Sequence, residues 1–327
     1  MPTIAPQELD GFVVCAGFLK DCAYFASGEG EILFSGVGER RCKPHKAGLL
    51  AAVPRLDGSG LISSGDDGCI HATTTDGSAE LIAERPRKWI DIVATGPSGA
   101  VAFASGRTAW VRLADGREKE FRHERAVGGL AFAPKGMRLA VSRYDGATLW
   151  WAGTDGAPVE LTWKGAHLGI SFSPDGKYLV TAMQENALHG WRLSDSQDMR
   201  MTGYPAKVKS FSWSTKGRYL ATSGANAAIV WPFFGKTGPM GQAPLQLGMR
   251  GDALVTAVAC HPEEEVIAVG YQDGMIMMCR FADNAEVLLR RPGKGPVSSL
   301  GWHADGTRLA FGTEAAEAGI VNLHEDS

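Results

Sequence analysis

His45, Ser63 and Asp67 are the three residue types of a serine nucleophile with its base and orienting carboxylate. Ser63 sits in Leu61-Ile62-Ser63-Ser64, however, without the Gly-x-Ser-x-Gly elbow that lifts such a serine into the open. His123 and Asp145 offer a second pairing, a histidine that a carboxylate can tune for proton transfer. Cys42-x-x-His45 and Cys69-x-His71 supply four ligands of the kind Zn²⁺ takes tetrahedrally, and strand alternation puts Cys69 and His71 on one face. Free cysteine also packs as a small hydrophobe, so these residues do not by themselves specify a metal. Gly235-Lys236-Thr237 has the end of a phosphate loop, but position 230 is Val instead of Gly and no helix follows. His123-Glu124 lacks the second histidine of a zinc-protease helix, because position 127 is Val. No catalytic, cofactor or metal motif is complete, and neither a cofactor nor an enzymatic activity is expected. Arg85-Pro86-Arg87-Lys88 beside Trp89, followed by Arg117, Lys119, Arg122 and Arg125, form a basic stripe with an aromatic for stacking on nucleic acid. Glu118, Glu120 and Glu124 are interleaved in its second half and the net charge is −3, which favours a solvated strand edge over a nucleic-acid partner.

These residues depend on elements that repeat. In His123 to Trp151, apolar runs around Val127–Phe132, Leu139–Ser142 and Ala147–Trp151 are separated by Pro-Lys-Gly and Asp-Gly turns. Short apolar runs punctuated by such turns predict three antiparallel strands, a, b and c. The residue at the end of strand a recurs as Pro54, Thr95, Phe132, Phe172, Trp213, Cys260 and Trp302, at spacings of 41, 37, 40, 41, 47 and 42. Ahead of them Phe12–Gly17, Cys22–Ser27 and Glu31–Ser35 form one more set, which brings the count to eight units. The segments ERRCK, AELIA, REKEF, PVELTW, DMRMT, PLQLG and AEVLLR supply fourth strands, d. A four-stranded unit with two apolar faces cannot bury itself alone, and a period of 40 to 45 residues is that of a propeller blade. The expected architecture is one all-β propeller domain over residues 1–327, with eight four-stranded antiparallel blades favoured and seven as the alternative.

The repeats resemble the WD40-repeat family. Phe172-Ser173-Pro174-Asp175-Gly176 looks like that family's a–b turn, and Trp302-His303-Ala304-Asp305-Gly306 is a degraded copy. The family's polar tetrad links the loop before strand a, strand b, the b–c turn and strand c. Unit four matches it with His123, Asp145 and Trp151 but has Val141 on strand b; unit two matches with His45, Ser63 and Asp67 but has Thr73 for the Trp. Unit five keeps Thr181 and Trp191, with Glu185 for the Asp and Trp163 for the His; unit seven keeps Asp273, with Gly251 and Cys279 in the other places. The resemblance implies that these residues are structural rather than catalytic.

Residues 324–327 follow strand c of unit eight with no d strand after it, so Pro2–Leu9 is expected to complete the last blade and remove its open edge. Two connections depart from the period: residues 232–244 in unit six and 312–319 in unit eight. Glu8 and Asp10 stand where a signal peptide needs basic residues, no apolar run is long enough for a membrane helix, and the six cysteines form no Cys-x-x-Cys. A cytoplasmic protein with no membrane partner is expected. The family resemblance implies a non-enzymatic scaffold that holds a protein or peptide on the face built from d–a and b–c loops. Arg87, Trp89, Arg125, Tyr144, Lys207 and Gln272 are the expected contacts there, with Phe233 and Phe234 of the unit-six loop as a second contact. The alternative is a propeller enzyme or small-ligand or metal binder using the central channel.

Overall fold

The computed structural model describes residues 2–36, 38–235 and 237–323; Lys236 of the Gly-Lys-Thr run and His324-Glu325-Asp326-Ser327 lie outside the described residues. Among the described residues the regular structure is β-strand except for one 3-10 turn at Pro97–Gly99. The chain divides into two compact units, one holding residues up to Pro44, Thr75–Gly77 and Tyr204 onward, the other His45–Thr74 and Ser78–Gly203.

The first unit carries four antiparallel sheets of the propeller-blade type. One is Val13–Leu19, Cys22–Ser27, Ile32–Gly36 and Gly38–Cys42. The second is Phe211–Trp213, Tyr219–Thr222, Ala228–Pro232 and Leu245–Leu247; the third is Val255–Cys260, Val266–Tyr271, Ile276–Arg280 and Glu286–Arg290. The fourth takes Val297–Trp302, Arg308–Thr313 and Glu317–Asn322 from one end of the chain and Thr3–Glu8 from the other. Thr3 pairs with Asn322 and Glu8 with Glu317, so the N-terminal strand completes the last blade as the sequence predicts.

The second unit carries two four-stranded sheets, Leu49–Pro54 with Gly60–Gly65, Cys69–Thr74 and Ala79–Glu84, and Ile92–Thr95 with Val101–Ser105, Thr108–Arg112 and Glu118–Arg122. Its third sheet has six strands: Val127–Phe132, Arg138–Trp151, Val159–Phe172, Tyr178–Met183, Ala187–Arg192 and Gln197–Met201. Among the described residues seven sheets are therefore found where eight were expected. The repeat periodicity counted strand sets, and units four and five share one ladder. Within 138–151 the b and c runs still fold back on each other, since Ala152 N–H donates to the Met137 carbonyl at 2.8 Å. Their turn, Asp145-Gly146 with φ of 68° and 134°, is too tight to interrupt the strand, and Tyr144 pairs with Ala166 of the next long strand. That strand, Val159–Phe172, carries d of unit four directly into a of unit five. The N-terminal set, 13–42, is a regular four-stranded sheet.

Strand b explains why the sheets stack. Gly60–Gly65, Tyr178–Met183 and Val266–Tyr271 are buried at every position, because each is covered on both faces. Between units six and seven, Ala221, Val230 and Leu247 meet Val258, Ile267 and Val269. Each such Val, Ile or Leu contributes roughly 1.5–3 kcal/mol by leaving water. Hydroxyls on strand a tie neighbours together: Thr256 donates to the Val297 carbonyl at 2.7 Å and Ser298 to that of Val13 at 2.6 Å.

The unit-eight b–c connection, expected to be long, is short. The ladder runs to Gly312↔Ala318, and the Thr313 hydroxyl accepts the N–H of Ala315 at 3.3 Å and of Glu317 at 3.0 Å, folding 314–316 into a tight turn.

Candidate interaction site

The residue that precedes strand a meets strand b in most units, and the chemistry of the two positions is matched. His45 Nε2 lies 2.9 Å from Ser63 Oγ, and its Nδ1 lies 3.2 Å from both Asp67 oxygens. Burial pushes the His45 pKa down. Burial raises that of Asp67, but the N–H groups of Cys69 and Lys46 and the His45 contact outweigh it and hold the carboxylate below its usual range. Because Ser63 and His45 are sealed from solvent, this triad-like array has no place for a substrate. In unit six a tyrosine takes the histidine's part: Tyr204 OH lies 2.7 Å from Thr222 Oγ1 and accepts Trp231 Nε1–H at 2.6 Å. Where strand b carries an aromatic instead, the partner is an arginine. Arg85 covers Phe103 at 5.0 Å, Arg250 covers Tyr271 at 5.1 Å and Arg290 covers Phe311 at 4.9 Å, each guanidinium lying on a π-face.

Several expected tetrad positions differ. In unit five the strand-b hydroxyl Thr181 meets His167 Nδ1 at 2.7 Å, so the histidine is His167 and not the position held by Trp163. Trp163 instead stacks on His189 at 4.1 Å, and Trp191 is buried 5.5 Å from the His167 ring. In unit seven Arg250, one residue before the expected Gly251, pairs with Asp273 at 2.7 Å. In unit four the tetrad does not assemble. Trp151 is 43% exposed under the Arg138 guanidinium, while Trp150 turns in toward His123; successive strand residues face opposite ways, so only one of the two can. Asp145 accepts the Gly165 N–H at 3.3 Å, and His123 Nε2 is buried with no partner among the described residues. Spacing carries a signal for two of the missed residues: Arg85 and Tyr204 stand 18 positions before Phe103 and Thr222, as His45 does before Ser63, whereas His167 stands 14 before Thr181 and Arg250 stands 21 before Tyr271. The 18-residue step from His123 falls on Val141, which has no hydroxyl.

The d–a and b–c connections of units six to eight enclose a cleft of ≈ 510 Å³. Leu254, Val255, Pro296 and Val297 give it an apolar floor; Lys207, Lys209, Gln272 and Glu314 stand exposed around it. Two of the residues expected to bind a partner, Lys207 and Gln272, thus share one cavity. Gly224 permits this packing, since with φ of 94° a Cβ there would lie 2.9 Å from the Lys207 carbonyl oxygen. Among the described residues no ion pair or hydrogen bond engages the side chains of Lys207, Lys209, Gln272 or Glu314, although the Lys209 backbone N–H donates to Ser223 Oγ at 3.2 Å.

Of the other expected contacts, Trp89 is 71% exposed on a d–a connection and Arg87 beside it is exposed with φ of 62°. Arg125 lies over the Tyr144 ring at 6.0 Å. Phe233 is withdrawn from the surface, packed edge-on against Trp213 at 4.7 Å, and only Phe234 keeps part of its ring in solvent, beside Tyr219 and Arg218. Four members of the basic stripe are neutralised locally: Arg85 pairs with Glu118, Arg117 with Asp115, Lys119 with Asp155 and Arg122 with Glu120. His45 and His71 rings meet edge-on at 5.0 Å, and among the described residues no three His, Cys, Asp or Glu side chains converge as a metal site.

Residues 258–327 match the family profile described as the anaphase-promoting complex subunit 4 WD40 domain. No curated protein sequence matches the chain. Among solved structures, the crystal structure of the computationally designed Ika8 protein covers 97% of this chain and 98% of its own at 17% identity and a TM-score of 0.76, a likeness of fold. The profile match marks residues 258–327 as similar to a WD40 domain, and the four-stranded antiparallel sheets are those of a β-propeller fold.

Proposed function

We propose that this chain is a WD40-repeat propeller and a non-enzymatic scaffold, one domain over residues 1–327, that holds a protein or peptide partner on the face built by its d–a and b–c connections. The observation that carries this reading is the cleft of units six to eight, where unengaged polar side chains ring an apolar floor. Pockets of that make-up hold ligands by burying apolar surface and orient them with a few polar groups. Arg87, Trp89, Arg125 and Tyr144 are further proposed contacts on d–a and b–c connections of the other compact unit, and the matched profile takes its description from a subunit of a complex. The channel-enzyme alternative needs carboxylates or histidines on strand a, and Val127–Phe132, Phe211–Trp213 and Val255–Cys260 carry none. Six free cysteines support a reducing, cytoplasmic setting. No described helix is long and apolar enough to cross a membrane. The test is the double reversal Arg87→Glu with Lys207→Glu. Partner capture should fall while the melting temperature stays unchanged. Capture that survives this change and is lost on Phe234→Ser would move the site to the unit-six loop, and substrate turnover by rigorously purified protein would overturn the scaffold reading.

A further inference from the structure

Resting on the scaffold reading, we infer that a groove from Lys207 to Phe12 binds an extended peptide segment bearing an acidic residue, then a basic one, then an apolar one. A second cleft of ≈ 480 Å³, lined by Phe12, Val13 and Val14, shares Ser298 and Glu314 with the first, so the two adjoin across these residues. The groove crosses the strand-a starts of units six, seven, eight and one in turn. Hydroxyl bonds fix this track: Ser210 Oγ accepts Val258 N–H at 3.1 Å, Thr256 donates to Val297, and Ser298 donates to Val13.

The charges along the groove change sign. Lys207 and Lys209 stand at the unit-six end, Gln272 follows in unit seven, Glu314 in unit eight, and the Phe12 ring, 47% exposed, in unit one. Two unpaired ammonium groups attract a carboxylate, and an unpaired carboxylate farther on attracts a cation. Gln272 can donate to and accept from a peptide amide between them. Glu314 repels a uniformly negative chain, and lysines offer point charges without the guanidinium fork suited to phosphate. A nucleic-acid backbone therefore fits less well than a peptide of alternating charge.

Exposed charges set specificity more than affinity, so the test reads which charge is selected. A displayed library of random peptides about twelve residues long, enough to extend along the groove, is panned on the full chain. The wild type should enrich Asp or Glu, Lys or Arg, and an apolar residue in fixed order. Lys207→Glu with Lys209→Glu should enrich Lys or Arg at the acidic position, and Glu314→Lys should enrich Asp or Glu at the basic one. By fluorescence anisotropy, a synthetic wild-type consensus peptide should lose roughly tenfold in affinity for either variant and recover when its own charge is reversed. Melting temperatures check that each variant is folded. Enriched peptides without charge preference overturn the inference, as does failure to enrich any peptide. Peptides indifferent to these reversals but lost on Trp89→Ser would overturn it while leaving the scaffold reading standing.

Discussion

The pairing of the residue before strand a with strand b is a hydrogen-bond problem solved unit by unit. A buried imidazole needs a partner for each nitrogen, and Ser63 and Thr181 provide one for His45 and His167. His123 lacks it because Val141 stands at the hydroxyl position. Val141→Thr should therefore stabilise the fold by about 0.5–1.5 kcal/mol in urea denaturation. The gain should vanish in a His123→Ala background, which a double-mutant cycle reads directly. His189 poses a sharper case, sandwiched between Trp163 and Trp191 with neither nitrogen hydrogen-bonded among the described residues and the Asp198 carboxylate no nearer to Nε2 than 3.9 Å. Burial lowers its pKa to about 3, and burial also lowers those of His45, His123 and His167. These folded-state values lie below the unfolded one of about 6.5, so unfolding takes up protons as pH falls. Stability is full above pH 6.5 and declines below it, for His189 down to about pH 3, with a limiting slope near 1.4 kcal/mol per pH unit per histidine. His189→Phe keeps the aromatic stack without the nitrogens that lack hydrogen bonds. It should raise the denaturation midpoint more at pH 5 than at pH 7; an equal change at both would show that His189 does not titrate on unfolding.

At the scale of elements, a strand's worth lies as much in the edge it covers as in what it buries. Thr3–Glu8 is almost wholly exposed, yet it occupies six ladder positions on Glu317–Asn322. Deleting residues 2–9 would leave that strand an open, unpaired edge, which invites pairing between molecules. A lowered melting temperature and concentration-dependent aggregation by light scattering are expected. An unchanged melting temperature would show that the edge needs no cover. Turns show how an element's limits escape sequence reading. The Asp145-Gly146 turn was visible as a break between strands, but its two positive φ values make it tight enough for the ladder to continue, and Tyr144 then pairs with Ala166. The long-looking Gly312–Gly319 run likewise closes into a tight turn once Thr313 accepts two backbone N–H groups.

For the whole molecule, the six cysteines are free, and burial pushes the thiols of Cys42 to about 11 and of Cys260 and Cys279 to about 12. Few thiolates then exist at neutral pH, so thiol reagents should react slowly with the folded chain and with all six cysteines after unfolding, with no effect of reductant on the melting temperature. Fast native labelling of Cys260 or Cys279 would contradict this packing. The sequence by itself determined the strand sets, the fourth strands and the N-terminal strand of the last blade. Period-two patterns, turn residues and the 41-residue repeat are local properties, and an edge without a partner is a local deficit. It also picked out His45, Ser63 and Asp67, whose fixed offsets follow from one hairpin. Only the tertiary structure decided which of Trp150 and Trp151 faces in, that His167 and Arg250 take the places assigned to Trp163 and Gly251, and that units four and five share a ladder. Only it brought Lys207, Gln272 and Glu314 around one cleft, because that proximity comes from the stacking of separate blades, and stacking is set by how buried faces and strand-a hydroxyls meet rather than by any spacing along the chain.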